Sequence, residues 1–437
     1  MQRYKTPGNR EDKIKHMVNQ WKAFPNIGVL ASYEPFSQII HLNSITPIEF
    51  ERAFKDRVYE SRRKVVPLYF HELTHWVDHV TTLWGFEFLI KQFDAINARL
   101  GENVNEMWRI VEWNKTVRRN YYGDYYSITY AAGLEPSDGQ PWAWELTAGA
   151  IFDSKGIPNE KDPIAFTKFK NRAGADLCRV PFSISSLLEA NAMAIEMGFE
   201  MRLIDELTGN DKVVEFALFK AKSIKTIYDP MLANYSAAAH LLANVTGVSD
   251  IFSAYKFASR MAGFCLNFPR QLFDNLRIPE SFAAWGNRND AFKAQCDRGY
   301  LYMLLLAHAR GLDFSDYDAW FTSILERSGL PGIEEIRVRA DEEIKVLVKS
   351  HIPGKASDRL SQLVTIGRKY QIKNGLRLNS EYVDFPKIVP PILFSGAIIR
   401  RGQNIVDSDG FTDPSDWIDD AFRYSNLISE FLDACMP

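Results

Sequence analysis

Residues 65–85 read VVPLYFHELTHWVDHVTTLWG, and the chain is best read outward from them. They contain His71-Glu72-Leu73-Thr74-His75, an H-E-x-x-H string. On a helix, positions i and i+4 stand one above the other, so His71 and His75 can present two imidazoles to one cation. Glu72 lies about 100° round from His71, within reach of a proton near that cation. Stepping by about 100° per residue, His75, His79, Glu72, Asp78 and Thr82 share the side of His71, while Phe70, Leu73, Val77, Val80 and Trp84 form an apolar stripe opposite. No Lys or Arg occurs between Lys64 and Lys91. A solvated helix face usually mixes both signs of charge, so this polar face is expected to turn into a site.

HELTH followed by an apolar helix resembles the zincin metallopeptidases, and the five residues match the string found in thermolysin-like enzymes. The resemblance covers this helix and, more loosely, a second one further on. It implies one zinc ion held by His71 and His75, Glu72 as general base, and hydrolysis of peptide bonds in a protein or peptide substrate.

A catalytic zinc site keeps three protein ligands and one open position. His79 is two turns beyond His71, too far along a straight helix to share the ion, and no glycine before Gly85 turns the chain. His79 and Asp78 are therefore expected to support the site. The third-ligand candidate is Glu189, in SSLLEANAMAIE at residues 185–196, because a Glu followed by Ala on such a helix resembles the gluzincin third-ligand helix. Ala190, Ala192 and Ala194 would let that helix approach another closely. Met193 stands where thermolysin-like enzymes carry a supporting Asp, and Glu196, on the same face as Glu189, is the substitute. Against Glu189 as ligand stands a capping box, Ser186-x-x-Glu189. Glu145, Glu196 and His79 are the alternative third ligands. For stabilising an oxyanion, a tyrosine of the aromatic 121–144 stretch or His240 is expected.

The 437 residues suffice for two or three domains, and 46% hydrophobic with 24% charged residues is ordinary globular composition. A net charge of −3 gives no reason to expect nucleic acid or an anionic membrane. No apolar run reaches spanning length, and the first residues lack an apolar signal core. Cys178, Cys265, Cys296 and Cys435 form no CxxC pair, which suits reduced thiols and a cytoplasmic location. No P-loop, GxSxG or GxGxxG occurs.

Residues 26–45 are the clearest β signal, two apolar runs around Glu34-Pro35-Phe36-Ser37, and one of these strands is a candidate for pairing with extended substrate. Residues 46–63 read as one helix, with Pro67 in the first turn of the site helix. Helical spacing then recurs over residues 183–208, 212–228, 231–245, 249–262, 290–310, 314–328, 333–350 and 356–372, and again over 415–434. The expected fold is α+β and predominantly α-helical. It comprises a zincin-like catalytic domain over 1–280 with a small N-terminal sheet, then a mainly helical region over 281–437 that shapes the cleft or binds a regulatory partner. Two other readings of the motif are a zinc hydrolase acting on a non-protein amide and a non-catalytic binding module.

Overall fold

The computed structural model describes residues 30–130, 140–152, 156–171, 173–378, 385–386, 389–396, 398–400 and 414–435. The first part of the expected β signal, residues 26–29, and residues 131–139 of the aromatic stretch lie outside them.

The N-terminal β signal folds as a hairpin, β1 (Ser32–Glu34) and β2 (Ile39–Leu42), paired antiparallel with Tyr33 opposite Ile40. Its turn is held by Glu34, whose carboxylate accepts the Phe36 and Ser37 backbone N–H groups at 3.0 and 2.5 Å. The expected helix over 46–63 is two helices. Helix α1 (Pro47–Lys55) opens on a capping box between Thr46 and Glu49. The chain is then extended at Val58 before α2 (Tyr59–Thr81) begins. Pro67 accordingly lies in the interior of α2, not in its first turn. The missing N–H costs one helical hydrogen bond, and tertiary burial of Val65, Val66, Pro67 and Tyr69 outweighs that loss.

After α2 come α3 (Leu83–Leu100) and α4 (Trp108–Asn120). A second sheet follows that the sequence reading did not anticipate: β3 (Ile128–Thr129), β4 (Ala143–Phe152), β5 (Pro158–Lys170) and β6 (Asp176–Pro181), in the order β3-β6-β5-β4 and antiparallel throughout. Its strands carry small and polar residues among the apolar ones, which blurs the period-2 pattern that marks a strand.

The helical series is α5 (Ile184–Asp205), α6 (Gly209–Ile227), α7 (Ala233–Thr246), α8 (Ile251–Leu266), α9 (Asn287–Ala294), α10 (Arg298–Ala309), α11 (Tyr317–Arg327), α12 (Ile333–Lys349) and α13 (Ser357–Asn374). Cys296, at a left-handed φ of 53°, separates α9 from α10 where one helix was expected. Strands β7 (Ile392–Phe394) and β8 (Ile398–Arg400) extend the first sheet to β1-β2-β7-β8, with β7 parallel to β2, and α14 (Pro414–Cys435) closes the chain. The molecule is mostly helical with two small sheets. Both large apolar cores draw on residues from either side of residue 280, and Trp417 of α14 donates from Nε1 to the Ser37 carbonyl. No helix among the described residues is long and apolar enough to cross a membrane.

Helix α2 is the axis of this packing, lying against α5, α13, α3 and α1. From Val65 to Thr81 it is buried almost all round, so the polar side faces protein as fully as the apolar side does. It meets α13 at Gly367, where an added Cβ would stand 1.8 Å from the Val80 carbonyl oxygen. Gly367→Ala is expected to destabilise the fold by about 2–3 kcal/mol, although alanine gains about 1 kcal/mol of helix propensity there. Urea denaturation checks this; wild-type stability in the variant would contradict the close helix contact.

Candidate metal centre

Helices α2 and α5 cross with their ligand-type side chains facing each other. Nε2 of His71 is 3.4 Å from Oε2 of Glu189, and Nε2 of His75 is 3.6 Å from Oε1 of the same carboxylate. The two imidazoles stand with centroids 5.0 Å apart and planes at 81°. One ligand atom from each of His71, His75 and Glu189 lies within 4.8 Å of the others, and all three residues are buried. His71 and His75 are brought together by helical spacing alone, whereas Glu189 arrives from 114 positions beyond His75 through the packing of α5.

Metal ligands at about 2.0–2.2 Å in a tetrahedron stand about 3.3–3.5 Å apart, close to the 3.4 and 3.6 Å that separate the two imidazoles from the two oxygens of Glu189. Those separations are too long for good hydrogen bonds. Oε2 of Glu189 is buried and accepts no hydrogen bond among the described residues. Two imidazoles and a carboxylate are a donor set that zinc accepts. The residues fit the group.

The other nitrogen of His71 is also committed: Nδ1 lies 2.8 Å from Oε2 of Glu196. A carboxylate on the far side of a ligating imidazole fixes its tautomer and orientation. Glu196 thus sits behind His71 and not beside Glu189. Burial pushes the His71 imidazole down, but the Glu189 and Glu196 carboxylates outweigh it and hold its pKa well above the ordinary value. Burial, with the charges of His71 and His79, holds His75 well below. Glu189 is raised by burial against the pull of His71. Burial raises Glu72 to about 7, with His71 pulling it down and Glu189 and Glu196 pushing it up, so its carboxyl feels every charge of the cluster. The Tyr33 backbone N–H also lowers it, which puts β1 against this end of the site.

The remaining candidates fall elsewhere. The capping box suggested for Ser186 and Glu189 does not form. Ser183 caps α5, and Ser186 donates to Oδ1 of Asn234 at 2.9 Å, leaving Glu189 well inside the helix. Glu145 is on β4, exposed and paired with Lys170 at 2.8 Å; an isolated acid in an apolar run proved to be the solvent side of a strand. His79 points along α2, with Nδ1 2.7 Å from the His75 carbonyl and Nε2 3.2 Å from the Tyr121 hydroxyl. Burial lowers it to about 4, so it is a neutral donor to that carbonyl. His240 accepts the Trp142 backbone N–H at Nδ1 and bonds the Ile227 carbonyl through Nε2, stacked on the Trp142 ring. Its hydrogen bonds go to Trp142 and Ile227, so it serves the core and not the cluster. Tyr126 accepts from the Phe152 backbone, whereas Tyr121 reaches the site helix through His79.

Sequence reasoning missed Tyr235 on α7. Burial raises its phenol well above the ordinary value, and the charges of Glu189, Glu72 and Glu196 raise it further. Nothing local marks it, because α7 reaches the site only through its packing on α5. Also missed was the network behind the ligands. Asn191, two residues after Glu189, donates from Nδ2 to Oδ2 of Asp78 at 2.8 Å and accepts from Ser259 at 2.8 Å. Arg377 places its guanidinium 3.2 Å from Oδ1 of the same Asp78.

Compared with protein-family models, with curated proteins and with solved structures, the chain matches none.

Proposed function

We propose that this chain is a zinc-dependent hydrolase that cleaves an amide bond, of the metallopeptidase type. The observation that carries the reading is the convergence of the His71, His75 and Glu189 ligand atoms within 4.8 Å, beside Glu72 on the same helix. His71, His75 and Glu189 would hold the ion, with Glu196 orienting His71. When bound, zinc supplies Lewis acidity, polarising a carbonyl and lowering the pKa of water at its open position toward 7. Glu72 accepts a proton at its carboxylate and returns it to the leaving amine. Tyr235, whose phenol responds to the charges of the same carboxylates, would be the candidate donor to a developing oxyanion.

A second reading concerns the substrate. Tyr33 and Glu34 of β1 are buried, as are Glu72 and all three ligands. Pairing of an extended peptide with this strand would first require uncovering it, so burial favours a small amide or a chain terminus over a folded protein.

Metal content by inductively coupled plasma mass spectrometry tests the centre. About one zinc per chain is expected in the wild type, with little in His75→Ala or Glu189→Ala. Wild-type zinc in both variants would remove the ligand assignment, and no metal in the wild type after zinc is offered would remove the reading. A panel of peptides and small amides, assayed on zinc-loaded protein, then separates the two substrate classes.

A further inference from the structure

A polar cavity of about 80 Å³ lies among α3, α4, α5 and α10. Its wall carries four cationic residues, Lys91, Arg119, Arg270 and Arg298, against two acids, Glu87 and Asp297. Both acids are engaged. Glu87 is paired with Nη1 of Arg298 at 3.1 Å, and Asp297 caps α10 by accepting the Tyr300 backbone N–H at 2.8 Å. Arg119 is matched by Asp162.

Glu87 attracts Lys91 and Arg270 as well as Arg298, so one carboxylate serves three cations. The Lys91 ammonium has one distant partner among the described residues, the Thr116 hydroxyl at 3.4 Å. The Arg270 guanidinium forms no hydrogen bond or ion pair among them, although its backbone N–H donates to Glu343. Arg298 is only 4% exposed, and its Nε–H has no partner. A buried guanidinium donor left unsatisfied costs free energy that an acceptor in the cavity would recover.

Backbone charge points the same way. The wall includes Ser183 and Ile184, the cap and first residue of the 22-residue α5, and Asp297 and Arg298, the corresponding pair of the 12-residue α10. The positive ends of two helix dipoles therefore meet at this cavity.

We propose that this cavity is a binding site for a small tetrahedral oxyanion of the phosphate type, held by Lys91, Arg270 and Arg298. It is separate from the metal centre and stands whether or not that centre is catalytic. The ion is either free phosphate or the phosphate group of a small monoester; the cavity's size favours the free ion.

The test is isothermal titration of the full chain with inorganic phosphate at fixed ionic strength, repeated with glycerol phosphate. Saturable one-to-one binding is expected, weakened at least about tenfold by Lys91→Met and by Arg270→Gln and unchanged by His75→Ala. Arg270 is exposed, so its replacement leaves the fold intact, and unfolding midpoints check both variants. Tighter binding of either ligand supports the site and decides the source of the phosphate. Absence of saturable binding, wild-type affinity in both cavity variants, or loss of binding in His75→Ala would overturn it.

Discussion

Glu72→Gln is expected to keep its zinc and lose about 10²–10⁴-fold in amide hydrolysis, the loss typical of removing a positioned general base. Glutamine preserves the volume of a side chain that is 6% exposed, so neither the packing of α2 nor the ligands change. What disappears is the carboxylate that burial has raised to about 7, a value matched to taking a proton and returning it near neutral pH. The measurement pairs metal content with initial rates on the best substrate from the amide panel. Unchanged zinc with a collapsed kcat supports the role. A variant that hydrolyses at the wild-type rate would sink it, and one that loses its zinc would show Glu72 to be structural.

The other large effect is expected at Asp78. This carboxylate is wholly buried between the Arg377 guanidinium, itself 7% exposed, and the Asn191 amide. Burial raises the Asp78 pKa, while Arg377 and Asn191 pull it back; the pair holds only because each charge faces the other. Asp78→Ala would leave Arg377 buried and unmatched, a loss of about 3–5 kcal/mol. Because Asp78 is three residues beyond His75 and Asn191 two beyond Glu189, the same change would loosen the alignment of α2 on α5 and weaken zinc retention. Denaturation midpoints for Asp78→Ala, Arg377→Met and the double variant measure the coupling. A single variant within about 1 kcal/mol of wild type would contradict a buried, mutually dependent pair.

The residues differ in how far each was legible from the chain alone, and the difference follows sequence separation. His71, Glu72 and His75 are related by helix geometry, which any amphipathic stretch of the right period discloses. The boundaries of α5 to α8 and α11 to α14 were likewise near those read from apolar spacing. Glu189 could be singled out by its small neighbours, yet Glu145 had a similar local signature. What distinguishes them is that one faces α2 and the other faces water on a strand. The second sheet escaped because its strands carry Lys, Thr, Gly and Ala between their apolar residues, which hides the alternation. Tyr235 and Arg377 had no local signal.

By itself, then, the sequence determined a mostly helical chain and a helix with two imidazoles and a carboxylate on one side, because those properties depend on residues a turn apart. The tertiary structure decided which distant acid meets those imidazoles, that Glu196 stands behind His71, and that a charge pair from residue 377 secures the helix beneath them. Those contacts depend on how α5 and the segment after α13 pack against α2. Burial and close approach select that arrangement across more than a hundred residues, and no periodicity in the sequence records it.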